Sequence, residues 1–334
     1  MARKTDMPEL GAASDAGARG ALPGGAPDPV DGHRLPDGTA QGDRTRRAGH
    51  LVIIGGGEDR VNEKTVLARF VELAGGPSAK VVVLTAASTV QREMWKIYDE
   101  AFGALGVQSR THLAIRDREQ ASDPELARQI LSADGIFMTG GDQKRLLAMI
   151  GGTLIDAAMH RVFKERGACI AGTSAGASAM SEHMMAASLS SDALPSKGDT
   201  YLAAGLGFLQ RIVVDQHFSE RQRLGRLLGV VAQNPYLLGI GIDEDTALVI
   251  ENGAGFEVIG NGAITIVDGR QMSSNFLEIA RNERLELVNV KLHLLPAGAR
   301  YYLRGPEAGS VPRALREAVA AVISVSTVTE PTLS

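Results

Sequence analysis

The segment Gly172-Thr173-Ser174-Ala175-Gly176 constrains this chain more than any other. It is a G-x-S-x-G pentapeptide, preceded by the apolar run Ala168-Cys169-Ile170-Ala171 and followed by Ala177-Ser178-Ala179-Met180. That order predicts a nucleophile elbow: a buried strand, a sharp turn with the serine at its apex, and a helix that starts at once. The two glycines lack Cβ atoms, so strand and helix can approach around a backbone conformation that other residues resist. A serine lifted clear in this way suits nucleophilic catalysis. The plainer alternative is a tight strand-to-helix connection with an inert serine.

The rest of the chain supports a parallel α/β sheet around that turn. Hydrophobic residues make up 44% of the sequence but aromatics only 4%. Val, Ile, Leu and Ala must therefore fill the core, as in sheets buried on both faces. A length of 334 residues allows one large domain or two modest ones. The net charge of −4 argues against a general nucleic-acid or anionic-membrane binder. No apolar run approaches the roughly 18 residues that span a bilayer. Cys169 is the one cysteine and falls in the predicted elbow strand, which excludes disulfides and a cysteine-based metal site and fits a reducing, cytoplasmic setting.

Residues 1–49 are rich in Gly, Ala, Pro, Asp and Arg without periodicity and are expected to form a disordered tail. They lack the apolar core of a secretory signal, and Asp6, Glu9, Asp15, Asp28 and Asp31 make them too acidic for a transit peptide. Residues 50–334 read as a single α/β domain. Strands are expected at 50–54, 80–85, 111–115, 135–139, 168–171, 211–215 and 238–242, separated by helical patterns. Such alternation predicts a three-layer sandwich with a mostly parallel sheet. Beyond Thr246, short strands at 247–250, 256–259 and 263–267 are joined by Asn252-Gly253 and Asn261-Gly262 turns. They predict a small antiparallel extension of the main sheet, within a β-rich region of about 247–305. Gly55-Gly56-Gly57 closes the first strand, but Arg60 stands where the third glycine of a dinucleotide fingerprint would fall. That leaves a tight loop at the carboxyl edge of the sheet.

A serine nucleophile needs a base, and the base an orienting carboxylate. Of seven histidines, His33 and His50 lie in or beside the tail, and His112, His160 and His293 read as ordinary strand or helix positions. His183 is expected on the helix leading away from the elbow. His217 lies just past a predicted strand end, where parallel sheets place their ligand-facing loops. The following strand ends in Asp243-Glu244-Asp245 at the same edge. Spacing does not choose among the three acids, although alternation turns Asp243 and Asp245 away from the side that Glu244 faces. Thr139-Gly140-Gly141-Asp142-Gln143 ends another strand. Its glycine N–H groups, Gly141 included, could form an oxyanion hole with that of Ala175; the alternative is a helix start capped by Asp142.

Ser219-Glu220-Arg221-Gln222 fits a capping box, so a helix is expected from there to Asn234, with Leu224, Leu227, Leu228 and Val231 as its core stripe. Arginines in a first helical turn oppose the macrodipole. Arg221, Arg223 and Arg226 are better explained by a ligand carboxylate held in their forks than by helix stability. A solvated basic face is the alternative.

Four motifs together, Gly-Thr-Ser-Ala-Gly-Ala (172–177), Thr-Gly-Gly-Asp-Gln (139–143), Asp-Gln-His-Phe-Ser-Glu-Arg (215–221) and Gly-Ile-Asp-Glu-Asp-Thr-Ala (241–247), resemble those of the cyanophycinases. These are serine-type exopeptidases related to aspartyl dipeptidases, and the resemblance covers roughly residues 50–269. It implies a flavodoxin-like sandwich of the class I glutamine amidotransferase type, a homodimer, and no metal, organic cofactor, nucleic acid or membrane. The substrate implied is cyanophycin, a polyaspartate backbone with an arginine amide-linked to each side chain, cleaved to β-Asp-Arg dipeptides. By motif match Ser174 is the nucleophile, His217 the base and Glu244 the orienting acid. Gln143, Asp215, Gln216, Arg221, Arg223 and Arg226 would bind substrate, with an acid such as Asp215 open to the substrate guanidinium. A dipeptidase for aspartyl or isoaspartyl peptides would share the triad, though a dipeptide has only one distal carboxylate for three arginines. A non-catalytic binder of arginine-rich peptides would not need Ser174, His217 and Glu244 intact.

Overall fold

Alternating strands and helices open the fold in the computed structural model, which describes residues 49–188 and 194–324. The expected tail lies outside the described residues except for Gly49. In chain order come β1 (His50–Ile54), α1 (Thr65–Ala74), β2 (Lys80–Leu84), α2 (Gln91–Ala104), β3 (Ser109–Leu113), α3 (Arg118–Ala121) and α4 (Pro124–Ser132). β4 (Gly135–Met138), α5 (Gln143–Ile150), α6 (Leu154–Arg166), β5 (Cys169–Thr173) and α7 (Ala175–Ala179) follow. β6 (His183–Ser188) pairs antiparallel with β7 (Thr200–Ala204), and then come β8 (Ile212–Gln216), α8 (Leu224–Gln233) and β9 (Leu238–Ile242). The last elements are β10 (Thr246–Glu251), β11 (Gly255–Gly260), β12 (Ala263–Asp268), β13 (Ser273–Ser274), β14 (Leu287–Val288), β15 (Lys291–Pro296), β16 (Arg300–Tyr302) and α9 (Arg313–Val322).

Parallel strands in the order β3-β2-β4-β5-β1 form the centre of an eight-stranded sheet. Beyond β1 it continues antiparallel through β10, β11 and β16. The inner parallel strands β1, β2, β4 and β5 are apolar over most of their length because both faces are covered, whereas the edge strand β3 is mostly polar. Leu51 and Ile53 of β1 join the core on one face, while Val52 and Ile54 join the core on the other. α1 and α2 cover the second face with Val66, Leu67, Phe70, Tyr98 and Phe102. Ala127, Ile130, Leu146, Ile155, Met159 and Ala177 from α4 to α7 cover the first. Each fully buried branched or aromatic side chain is worth about 1.5–3 kcal/mol of transfer free energy. The fold is the expected flavodoxin-like α/β sandwich. Among the described residues no single helix is long and apolar enough to cross a membrane.

Three expectations need correcting. β8 and β9 do not lengthen the main sheet; they pair parallel with each other in a separate four-stranded sheet ordered β15-β12-β9-β8. Of the three extension strands, β10 and β11 widen the main sheet, while β12 pairs antiparallel with β9 in the second. The inner face of that sheet (Ile212, Val214, Ile240, Ile242, Ile264, Ile266) packs into the same core as α4 to α7. Its outer face is covered by α8, through Val230 against Val213 and Leu227 and Val231 against Val267. Apolar runs specify strands but not their partners, so a second buried sheet has the same signature as a longer first one. His183 is also displaced: α7 stops at Ala179, and His183 opens β6.

Candidate active site

β5 ends at Thr173 and α7 begins at Ala175, so Ser174 alone makes the turn, with φ 52° and ψ −111°. Such a conformation costs a residue with a side chain about 1–3 kcal/mol and must be imposed by its surroundings. The Ser174 N–H donates to the Ile54 carbonyl at 3.0 Å, which ties the turn to the end of β1. A Cβ on Gly172 would stand 2.5 Å from the backbone of Gly176, and one on Gly176 would stand 2.5 Å from the Met138 carbonyl oxygen. Both glycines of the pentapeptide are therefore required by close packing.

Ser174 Oγ lies 2.8 Å from His217 Nε2, and His217 Nδ1 lies 2.5 Å from Glu244 Oε1. A carboxylate beside Nδ1 assigns the ring proton to that nitrogen and leaves Nε2 as acceptor for the serine hydroxyl. The His217 side chain is 12% exposed and that of Glu244 40%. His217 follows β8 at φ 49°, and Glu244 sits in the turn between β9 and β10. The serine thus comes from the central sheet and the histidine and glutamate from the second, so the constellation lies at the seam of the two carboxyl edges.

Asp243 and Asp245 are engaged elsewhere. Asp243 accepts hydrogen bonds from the Ser219 N–H (3.1 Å) and hydroxyl, and from the Ala263 N–H at 3.0 Å. Asp245 accepts from the Asp59 N–H at 2.8 Å and from the Asn261 amide at 2.6 Å. Of the three successive acids, Glu244 is the one bonded to the imidazole.

The glycine loop after β1, expected only as a tight connection, holds the whole constellation. Successive carbonyls of Ile54, Gly55 and Gly56 accept from the N–H groups of Ser174 (3.0 Å), His217 (2.8 Å) and Asp245 (2.8 Å). Gly56, at φ 95°, passes so close beneath the histidine that a Cβ would stand 2.3 Å from His217 Cε1. Gly57, at φ 61°, would place a Cβ 2.9 Å from Glu244 Oε2. The sequence signal was present as three glycines in a row at the end of the first strand, unexplained by any phosphate-binding fingerprint.

The loop after β4 reaches the serine as well. A Cβ on Gly140 would lie 3.4 Å from Ser174 Cβ, and Gly141 adopts φ 147° against the Ala87 carbonyl. Ala175, as the first residue of α7, has an N–H with no acceptor within its own helix. Asp142 caps α5, accepting from Lys144 N at 2.7 Å, and the Gln143 side-chain amide donates to the Met185 carbonyl at 2.8 Å.

The expected capping box does not form. Ser219 bonds to Asp243, Gln222 takes φ 52°, and α8 begins only at Leu224. Leu224 is consequently exposed, and the buried stripe runs through Leu227, Val230 and Val231. Asp215 is 0% exposed, with both carboxylate oxygens taken by the protein's own arginines. Arg226 Nε donates to Oδ2 at 2.6 Å, Arg226 Nη2 also bonds Oδ1, and Arg223 Nη1 reaches Oδ1 at 3.3 Å. Arg223 Nη1 also bonds the main-chain and side-chain oxygens of Gln216. Burial, reinforced by the charges of Arg226 and Arg221 and opposed by Asp215, pushes the Arg223 guanidinium down to about 10. One carboxylate thus stands beneath two guanidiniums, which leaves the cluster positive. Arg221 is not bonded into this network and lies exposed on the preceding turn.

Known proteins resemble this chain over most of its length. The family model described as "Peptidase family S51" matches residues 51–258. The chain is 38% identical over 252 residues to the cyanophycinase of Geminocystis herdmanii, covering 75% of this chain and 92% of that one. It is 39% identical over 258 residues to the cyanophycinase of Thermosynechococcus vestitus (77% and 80% covered). To that of Trichormus variabilis it is 36% identical over 254 residues (76% and 85% covered). A crystal structure of a peptidase from an acI-B1 Actinobacterium superposes with a TM-score of 0.57 at 22% identity, covering 77% of this chain and 98% of that one, a likeness of fold alone. The match spans all four strand-end motifs that meet at the seam, and on that ground the chain belongs to peptidase family S51.

Proposed function

We propose that this peptidase is a serine-type exopeptidase that hydrolyses cyanophycin to β-Asp-Arg dipeptides. The observation that carries the chemistry is the hydrogen-bonded run from Ser174 through His217 to Glu244. As Ser174 Oγ attacks an aspartyl carbonyl, His217 Nε2 takes the hydroxyl proton, and Glu244 stabilises the resulting imidazolium without taking a proton itself. The N–H groups of Gly141 and Ala175 receive the developing oxyanion, about 3 kcal/mol for each donor. His217 then returns its proton to the leaving amine, and a water molecule repeats the sequence on the acyl-enzyme.

The substrate reading draws on relatives that carry the name cyanophycinase and on the arginine cluster. Every repeat of that polymer offers an arginyl α-carboxylate, which suits the forks of Arg223 and Arg226, with Arg221 nearby. Asp215 would act on the substrate through the two arginines it holds. Gln143 and Gln216 complete the substrate-binding set that the family resemblance implies. The reading includes residues 50–334 as one peptidase domain and a cytoplasmic homodimer, the compartment in keeping with the buried thiol of Cys169 and the assembly expected from the family resemblance. Incubation with insoluble cyanophycin, followed by mass analysis of the supernatant, tests the proposal. β-Asp-Arg dipeptide is the expected product. Release of free arginine or of longer fragments would replace the exopeptidase reading.

A further inference from the structure

Glu58, the first residue after the glycine loop, is only 3% exposed. Its Oε2 accepts the Thr173 hydroxyl at 2.6 Å and its Oε1 accepts the hydroxyl of Tyr98, a buried residue of α2. Burial, with Glu58 beside it, holds the Tyr98 phenol well above its ordinary range, so that hydroxyl stays a donor. Removing a carboxyl group from water is costly unless its oxygens are hydrogen-bonded, and filling space alone would favour an apolar side chain here. What distinguishes this pair of bonds is where they end. Thr173 immediately precedes Ser174, and Tyr98 belongs to the core on the sheet face opposite α7.

We propose that Glu58 is a positioning residue for Ser174, gripping Thr173 from the α2 face so that the strained turn keeps Oγ aimed at His217 Nε2. The proposal rests on Ser174 being the nucleophile. On the α7 face the turn is clamped by the Gly172–Gly176 contact. On the other face the Glu58–Thr173 bond supplies the clamp. Residues 54–58 then bear on the whole constellation: three carbonyls hold the backbones of Ser174, His217 and Asp245, the residue after Glu244, and the Glu58 carboxylate holds the residue before the serine. Replacing Glu58 by Gln turns one accepting oxygen into an amide donor, so one of the two hydroxyls can no longer donate to it and must reverse its bond.

The test measures the rate at which a fluorophosphonate labels Ser174, together with kcat and KM on cyanophycin. Wild type and Ser174→Ala come first: absence of labelling at Ser174 in wild type would overturn the nucleophile reading itself, whatever Glu58 does. With that labelling in hand, Glu58→Gln should slow both labelling and kcat by about ten-fold while KM changes by less than about two-fold. Thr173→Val should reproduce the loss, and Thr173→Ser, which keeps the hydroxyl, should restore most of the rate. Phe70→Leu loosens the same α2-side core without touching Glu58 and serves as the stability control. Wild-type labelling by Glu58→Gln would overturn the proposal. So would an equal loss in Phe70→Leu at matched melting temperature, or equal rates for the Val and Ser variants at Thr173.

Discussion

The Gly55 carbonyl accepts a hydrogen bond from the His217 N–H at 2.8 Å, although the two residues follow strands of different sheets. With its neighbours Ile54 and Gly56, Gly55 registers the second sheet against the first at the point where the chemistry is proposed. Relative placement of Ser174 and His217 is therefore set by main-chain bonds, which do not depend on the rotamer of either side chain.

Gly56→Ala should show this. Its φ of 95° disfavours any side chain, and the new methyl would stand 2.3 Å from His217 Cε1. Peptidase activity should fall by at least about a hundred-fold, the loss expected of a misplaced catalytic group, with a fall in stability of about 1 kcal/mol or more. Gly57→Ala meets the movable end of Glu244 and should cost less activity. Kinetics and thermal melts of the two variants, measured side by side, check the order.

His217→Ala should lower kcat by several orders of magnitude and Glu244→Gln by less, because the acid holds the tautomer without transferring a proton. The double variant should be no slower than His217→Ala, since members of such a unit do not act additively. Additive losses would separate Glu244 from His217. Among the described residues no other acid is bonded to that ring, so the base itself would then be in question.

Much of this was legible in the sequence. The central strands, the turn at Ser174 and the placement of residues 217 and 244 at strand ends follow from apolar runs and from punctuation by glycine and acids. What escaped was set by partners distant in sequence. The glycine loop looked like filler because its role is to pass beneath two side chains more than 150 residues away. Asp215 looked available because nothing local reveals that Arg223 and Arg226 fold back over it. The capping box at Ser219 failed because Asp243, on the neighbouring strand end, competes for the same serine.

Asp215→Asn should be among the more damaging polar substitutions. It would leave two largely buried guanidiniums without their carboxylate, at a cost of about 3–5 kcal/mol in stability. Substrate affinity should weaken as the forks lose their anchor, raising KM more than it lowers kcat. Calorimetry and steady-state kinetics on the same preparation would separate the two effects; an unchanged melting temperature would contradict the pairing.

Cys169 stands five residues before Ser174 and is fully buried, and burial pushes its thiol far above the ordinary range. Little thiolate forms at neutral or mildly alkaline pH, so iodoacetamide should leave both the native thiol and the activity intact. Denaturant should expose the cysteine to alkylation. Inactivation by iodoacetamide before unfolding would call for a thiol at the reacting centre.

The central claim, that Ser174 Oγ attacks the polymer, is tested most directly by comparing Ser174→Ala with wild type on insoluble cyanophycin. Soluble product is followed by mass and fold integrity by thermal melting. Wild type should release β-Asp-Arg dipeptide, and the alanine variant should release none while melting within about 2 °C of wild type, a small shift for a substitution that disturbs no core packing. Sustained dipeptide release by a folded Ser174→Ala protein would contradict the account.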